Sequence, residues 1–125
     1  MRAEELKYSK DHVWVAVEGD LARVGITDHA QRELGEVVFL DLPEVKRSFS
    51  QGEVVGSIES VKTTNDLFIP LSGEIVEVNA VVRDTPATVN SDPLGAGWLF
   101  RVRLRGPGEL NELMDFQAYT AFTQS

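Results

Sequence analysis

The chain has no cysteine, only two histidines, and fewer basic than acidic residues: 12 Lys and Arg against 20 Asp and Glu, for a formal net charge of -8. Without cysteine there are no disulfide staples, thiolate metal sites or thiol nucleophiles, so any sulfur redox chemistry must come from an attached group. His12 and His29 do not stand in a metal spacing such as His-Glu-x-x-His. The shortage of base argues against nucleic acid as a ligand, because phosphate contacts need clustered Lys and Arg. The acidic surplus favours solubility and attraction to basic partner surfaces. No apolar run approaches the roughly 20 residues of a bilayer span. The start, Met1-Arg2-Ala3-Glu4-Glu5, has neither the apolar stretch of a signal peptide nor the acid-poor character of a mitochondrial presequence. The expected compartment is the bacterial cytoplasm, ahead of the mitochondrial matrix. Glycine-rich phosphate loops are missing as well: Gly95-Ala96-Gly97 and Gly106-Pro107-Gly108 fit no nucleotide fingerprint and read as turns. No serine sits in a nucleophile elbow, so a hydrolase has no support.

What is present is a mostly-β pattern. A length of 125 residues with 42% hydrophobic content suits one domain over 1–125 with a single core. Short runs rich in β-branched residues, punctuated by Gly, Pro, Asn and Asp, predict strands near 13–17, 21–26, 36–42, 53–58, 66–69, 74–79 and 98–104. After the second of these, Thr27 or Asp28 as a cap, Gln31 and a terminal Gly35 predict one or two helical turns. At the other end Leu110, Leu113, Met114, Phe116, Tyr119 and Phe122 recur at three- and four-residue steps. They predict a C-terminal helical extension over about 108–123, broken near Asp115. The segment 82–94, with two prolines and several turn formers, reads as a long surface connection.

Lys62 lies between two similar strand openings, Gly52-Glu53-Val54-Val55 and Gly73-Glu74-Ile75-Val76, which puts it at a hairpin tip. A lysine in such a turn is commonly just a solvated charge, and Gly35-Glu36-Val37-Val38 repeats the opening once more, so the repeat alone decides nothing. The wider sequence decides more. Glu59-Ser60-Val61-Lys62, Asp66 and Pro70-Leu71-Ser72-Gly73-Glu74-Ile75-Val76-Glu77-Val78-Asn79 resemble the lipoyl-attachment region of the glycine cleavage system H protein family. Gly25-Ile26-Thr27-Asp28-His29-Ala30-Gln31, Val89-Asn90-Ser91-Asp92-Pro93 and Gly97-Trp98-Leu99 agree in order. A biotinyl carrier would show Met on both sides of its lysine, where this chain has Val61 and Thr63. A lipoyl domain of a 2-oxoacid dehydrogenase would show Asp-Lys-Ala and lack the His29 segment.

The resemblance implies a lipoyl/biotinyl-type barrel-sandwich hybrid of two antiparallel sheets, and a carrier without catalytic activity. Lipoate would be held in amide linkage on Lys62, with Glu59 helping the modifying enzyme recognise the tip. The arm would take an aminomethyl group from the glycine decarboxylase (P protein) to the aminomethyltransferase (T protein) and be reoxidised by dihydrolipoyl dehydrogenase (L protein). A lipoate ligase or a lipoyl/octanoyl transferase would load it, and the carrier would be a monomer. By the same resemblance Asp66 and His29 belong to the cleft that holds the loaded amine. The family reads His-Glu-Trp where this chain has His12-Val13-Trp14, and Val13 accepts no hydrogen bond, which leaves Asp11 as the substitute acid. Two other readings stay open. One is an H-like relay passing lipoyl groups to 2-oxoacid dehydrogenases or another lipoate-dependent pathway; the other is an unmodified interaction domain.

Overall fold

Two hydrophobic surfaces have to be covered, and two antiparallel sheets cover them. The computed structural model describes residues 2–124, so Met1 of the amino-terminal reading lies outside them. The strands are β1 (Lys7–Tyr8), β2 (Val13–Glu18), β3 (Leu21–Ile26), β4 (Val37–Asp41), β5 (Ser48–Phe49), β6 (Val54–Ser60), β7 (Thr64–Phe68), β8 (Gly73–Val78) and β9 (Phe100–Leu104). One sheet has the order β1-β2-β3-β9-β8-β5, the other β4-β6-β7. Val13, Val15, Val24, Ile75, Phe100 and Val102 of the larger sheet share one core with Leu40, Val55, Ile58 and Leu67 of the smaller. Phe100 is wholly buried; removing a side chain of that kind from water contributes roughly 2–3 kcal/mol. The sheets remain separate, each with open edge strands, so the two-layer expectation stands without closure into a barrel.

Helix α1 (Asp28–Leu34) begins where the cap signal puts it, with Thr27 Oγ1 accepting from the Ala30 amide at 3.1 Å. It ends at Gly35, whose φ of 78° lies in the left-handed region that glycine enters without cost. Beyond Gly106 a 3₁₀ turn (Pro107–Glu112) precedes α4 (Phe116–Gln124), so the break near Asp115 is real and the last segment is two helical pieces. Asp115 Oδ1 accepts from the Ala118 amide and starts the second piece.

The long connection expected over 82–94 is corrected: it takes in the end of α2 (Ala80–Asp84) and the whole of α3 (Thr88–Ser91). Asn79 caps the first by accepting from the Val81 amide, and Val82 and Val89, both fully buried, pin the two turns to the core. These turns are too short for a periodic apolar pattern to develop. The Gly-Glu openings also do unlike jobs. Gly52 turns the chain at φ 87° in open space, whereas a Cβ on Gly73 would meet the Arg103 carbonyl oxygen at 2.1 Å, so glycine lets β8 close on β9.

Candidate functional site

Lys62 lies in the short link between β6 and β7, exposed, next to the exposed Val61 and Thr63. The link is fastened from inside by Ser60, which is only 6% exposed. Its amide donates to the Thr63 carbonyl at 2.8 Å, and its hydroxyl oxygen accepts from the amides of Lys62 and Thr63, each at 3.2 Å. The Val61 amide donates to the Glu36 carbonyl at 3.0 Å, tying the tip to the chain after α1. A two-sided anchorage of this kind fixes the lysine backbone while leaving its amine in water. Its stem runs back over the helix end, since a Cβ on Gly35 would lie 3.0 Å from Lys62 Cε. Glu59 is exposed on β6, opposite Phe39 of β4 and Thr64 of β7.

Beside the tip is a cleft of about 220 Å³ that Thr63 helps to line. Its floor is apolar, made by Val13, Ile26, Leu34, Ile58 and Leu67, and its polar lining includes Asp11, Glu33 and Asp66. These three carboxylates are exposed and come from three separate segments: the turn before β2, helix α1 and strand β7. A dry floor below acidic groups suits a short aliphatic chain that ends in a cation. Val13, 2% exposed and paired with Ile26, belongs to that floor, so the position where the family has Glu is apolar here. Of the residues expected from sequence, Asp11 and Asp66 meet at the cleft, while His29 stands behind His12 on an adjoining groove with Thr27 and Tyr119.

His12 and Glu33, which the sequence reading did not single out for the cleft, both line it. The available signals were slight: Glu33 follows His29 by four residues on a helix, and His12 ends a turn. His12 adopts φ 64°, left-handed for a non-glycine residue, and its amide and carbonyl are held by the Ser9 carbonyl and the Thr27 amide. Its Nδ1 lies 2.8 Å from the Tyr119 hydroxyl, which in turn lies 2.8 Å from Thr27 Oγ1, the cap of α1. The ring stacks on His29 with centroids 4.6 Å apart, and His29 Nε2 contacts the Glu33 carboxylate. Burial, followed by the neighbouring His29, pushes the His12 pKa below its ordinary value despite opposing pulls from Glu33 and Asp11. The shift favours the neutral imidazole at His12 over the cationic one. Burial also raises the Tyr119 pKa, against a lowering hydrogen bond from Thr27.

Comparison with known proteins points one way. A family model described as Glycine cleavage H-protein matches residues 6–125. A glycine cleavage system H protein of Thermotoga maritima is 54% identical over 116 residues, which cover 93% of this chain and 94% of that protein. One of Thermus thermophilus is 50% identical over 118 residues, 94% and 92% of the two chains. The crystal structure of a glycine cleavage system H protein from Mycobacterium marinum superposes with a TM-score of 0.90 at 42% identity, covering 98% of each chain. Two open sheets, a lysine-tipped hairpin and sequence similarity along nearly the full length thus agree, and the chain belongs to the glycine cleavage H-protein family.

Proposed function

We propose that the chain is the lipoyl carrier of a glycine cleavage system, taking an aminomethyl group from the decarboxylase to the aminomethyltransferase. Bound in amide linkage to Lys62, lipoate supplies the disulfide that the chain itself lacks. What carries the reading is the pairing of a bare, backbone-anchored Lys62 with an apolar, acid-lined cleft next to it.

The residues divide the work between presentation and protection. Ser60 holds the turn so that a ligase or lipoyl/octanoyl transferase meets Nζ in one place, with the exposed Glu59, three residues before Lys62 and paired with Thr64, as a recognition carboxylate. Acylation removes the lysine charge, so the stem gains freedom to lie on apolar surface. Gly35 leaves open the path along which that stem runs. In the cleft, Asp11 and Asp66 attract a primary ammonium while Val13, Ile58 and Leu67 keep water away from it. His29 contributes indirectly, by stacking against His12 from behind. Dihydrolipoyl dehydrogenase completes the partner set, and a carrier visiting several enzymes works most simply as a cytoplasmic monomer. Among the described residues no helix is long and apolar enough to cross a membrane.

The deciding experiment has two stages. Intact-mass analysis after incubation with lipoate and a ligase should show one lipoyl adduct, and glycine decarboxylation should then be restored with the three partner enzymes. An adduct without glycine turnover would leave the relay reading in place; absence of the adduct would remove both. If Asp11 stands in for the family Glu, Asp11→Ala should shorten the half-life of the methylamine-loaded form about tenfold, the size of one lost charge-assisted hydrogen bond. An unchanged half-life would take Asp11 out of the cleft's chemistry.

A further inference from the structure

We propose that His12, His29 and Glu33 form a binding site for one divalent transition-metal ion of the zinc class. One imidazole nitrogen from each histidine and a carboxylate oxygen of Glu33 all lie within 4.8 Å of one another. Two imidazoles and a carboxylate are the donor set of open zinc sites, with a fourth position left for water or another ligand. Two nitrogen donors also disfavour magnesium and calcium, which take oxygen.

The surroundings fit a metal better than a chance meeting of side chains. A ligating histidine usually has its second ring nitrogen fixed by an oxygen partner, which sets the tautomer and orients the first. His12 has that arrangement: Nδ1 is engaged by the Tyr119 hydroxyl, which is itself anchored on Thr27, and Nε2 is left for the ion. His29 and Glu33 are one helical turn apart on α1 and already converge. For the ion to take His29 Nε2, the ring proton of the neutral imidazole must reside on Nδ1. His12 reaches the pair from a different segment, held there by backbone hydrogen bonds in a left-handed conformation. His12 is held by its anchored turn, so binding requires the half-buried His29 ring to turn out of its stack on His12 until both nitrogens point at one ion.

Position gives the site a consequence. His12 and Glu33 line the cleft beside Lys62, so an ion here would sit in the cleft wall with its open position accessible. The proposal does not rest on the carrier reading, because the ligands belong to the unmodified chain.

The test uses tag-free, EDTA-stripped, unmodified full-length protein. Isothermal titration with zinc chloride in excess magnesium should give one ion per chain, and cobalt(II) should give the intense visible bands of a low-coordinate site. His29→Gln on the helix and His12→Asn, chosen because Asn tolerates a left-handed φ, should each weaken zinc at least roughly tenfold. Circular dichroism confirms that each variant is folded. Tyr119→Phe, which touches no ligand atom of the ion, should weaken zinc by a smaller factor by loosening His12. Failure of the parent protein to bind zinc, or binding that both histidine variants leave unchanged, overturns the assignment.

Discussion

The Lys62 tip and the corner where α4 closes on β1 and β2 are opposite solutions to holding a side chain in place. At the tip the bonds are local: Ser60 reaches residues two and three positions on. At the corner they span the chain, with His12 to Tyr119 separated by 107 positions, Thr27 to Tyr119 by 92 and Trp14 to Pro93 by 79. Trp14 is wholly buried, and the Tyr8 and Tyr119 rings stack with centroids 4.4 Å apart. The tip is exposed and chemically available; the corner is closed and supports the fold. Changes at the tip should therefore remove function and spare stability, and changes at the buried part of the corner, Trp14 and Tyr8, should do the reverse.

The strongest break of that symmetry is Lys62→Arg. A guanidinium is not acylated by a ligase that needs an amine nucleophile, so the lipoyl adduct should vanish completely from the mass spectrum. The melting temperature should stay within a degree or so of the parent, because the side chain is exposed. A large drop in melting temperature would mean that the tip is structural after all. Trp14→Ala attacks the other member of the pair. Its Nε1 donates to the Pro93 carbonyl at 2.9 Å and the ring packs against Gly25, so the cavity should lower unfolding free energy by about 3–5 kcal/mol in urea titrations. The fraction still folded should accept lipoate at Lys62 as before.

The same contrast explains what could be read from the sequence. Seven of the strands and α1 were visible in alternation and capping, which depend on neighbours in the chain. Lys62 was visible for the same reason, since a turn between two β runs is a local pattern. Two-residue strands such as β1 and β5 carry too little pattern to stand out, and they exist because Tyr8 and Phe49 are buried by distant segments. α2 and α3 were hidden because Pro86 and Pro93 suggest an irregular loop, while their stability comes from Val82, Val89 and the Asn90 side chain, which bonds to the Gly35 carbonyl and the Val37 amide. The meeting of His12 with His29 and Glu33 was illegible altogether. It is made by the pairing of β2 with β3, which brings the turn before Val13 up to the start of α1.

A third expectation sharpens the corner through pH. Burial, with Tyr119 and Glu4 adding to it, pushes the Tyr8 hydroxyl from its ordinary 10.0 up to about 12. The unfolded chain gives up that proton first, so the stabilisation is fully present below pH 10 and is lost as pH rises toward 12. The loss is about 2 kcal/mol. Urea unfolding across that window should show the decline, and Tyr8→Phe should make it shallower. An equal slope in the variant would assign the alkaline sensitivity elsewhere.

The smallest expected effect is the most informative about the comparison, because Ser60 belongs to both categories: it is buried like the corner, yet it serves the tip. Ser60→Ala removes an acceptor for the Lys62 and Thr63 amides, but both of those residues are exposed and water can replace the lost partner. The stability cost should therefore be only about 1 kcal/mol. The backbone bond between Ser60 and Thr63 survives, so the hairpin still forms, but the lysine is no longer held in one orientation. Initial rates of lipoylation should fall while the final extent of modification is unchanged, since the same amine is present and only its presentation has loosened. Rates equal to the parent's would mean that the ligase shapes the tip for itself, and local anchorage would then serve the fold alone.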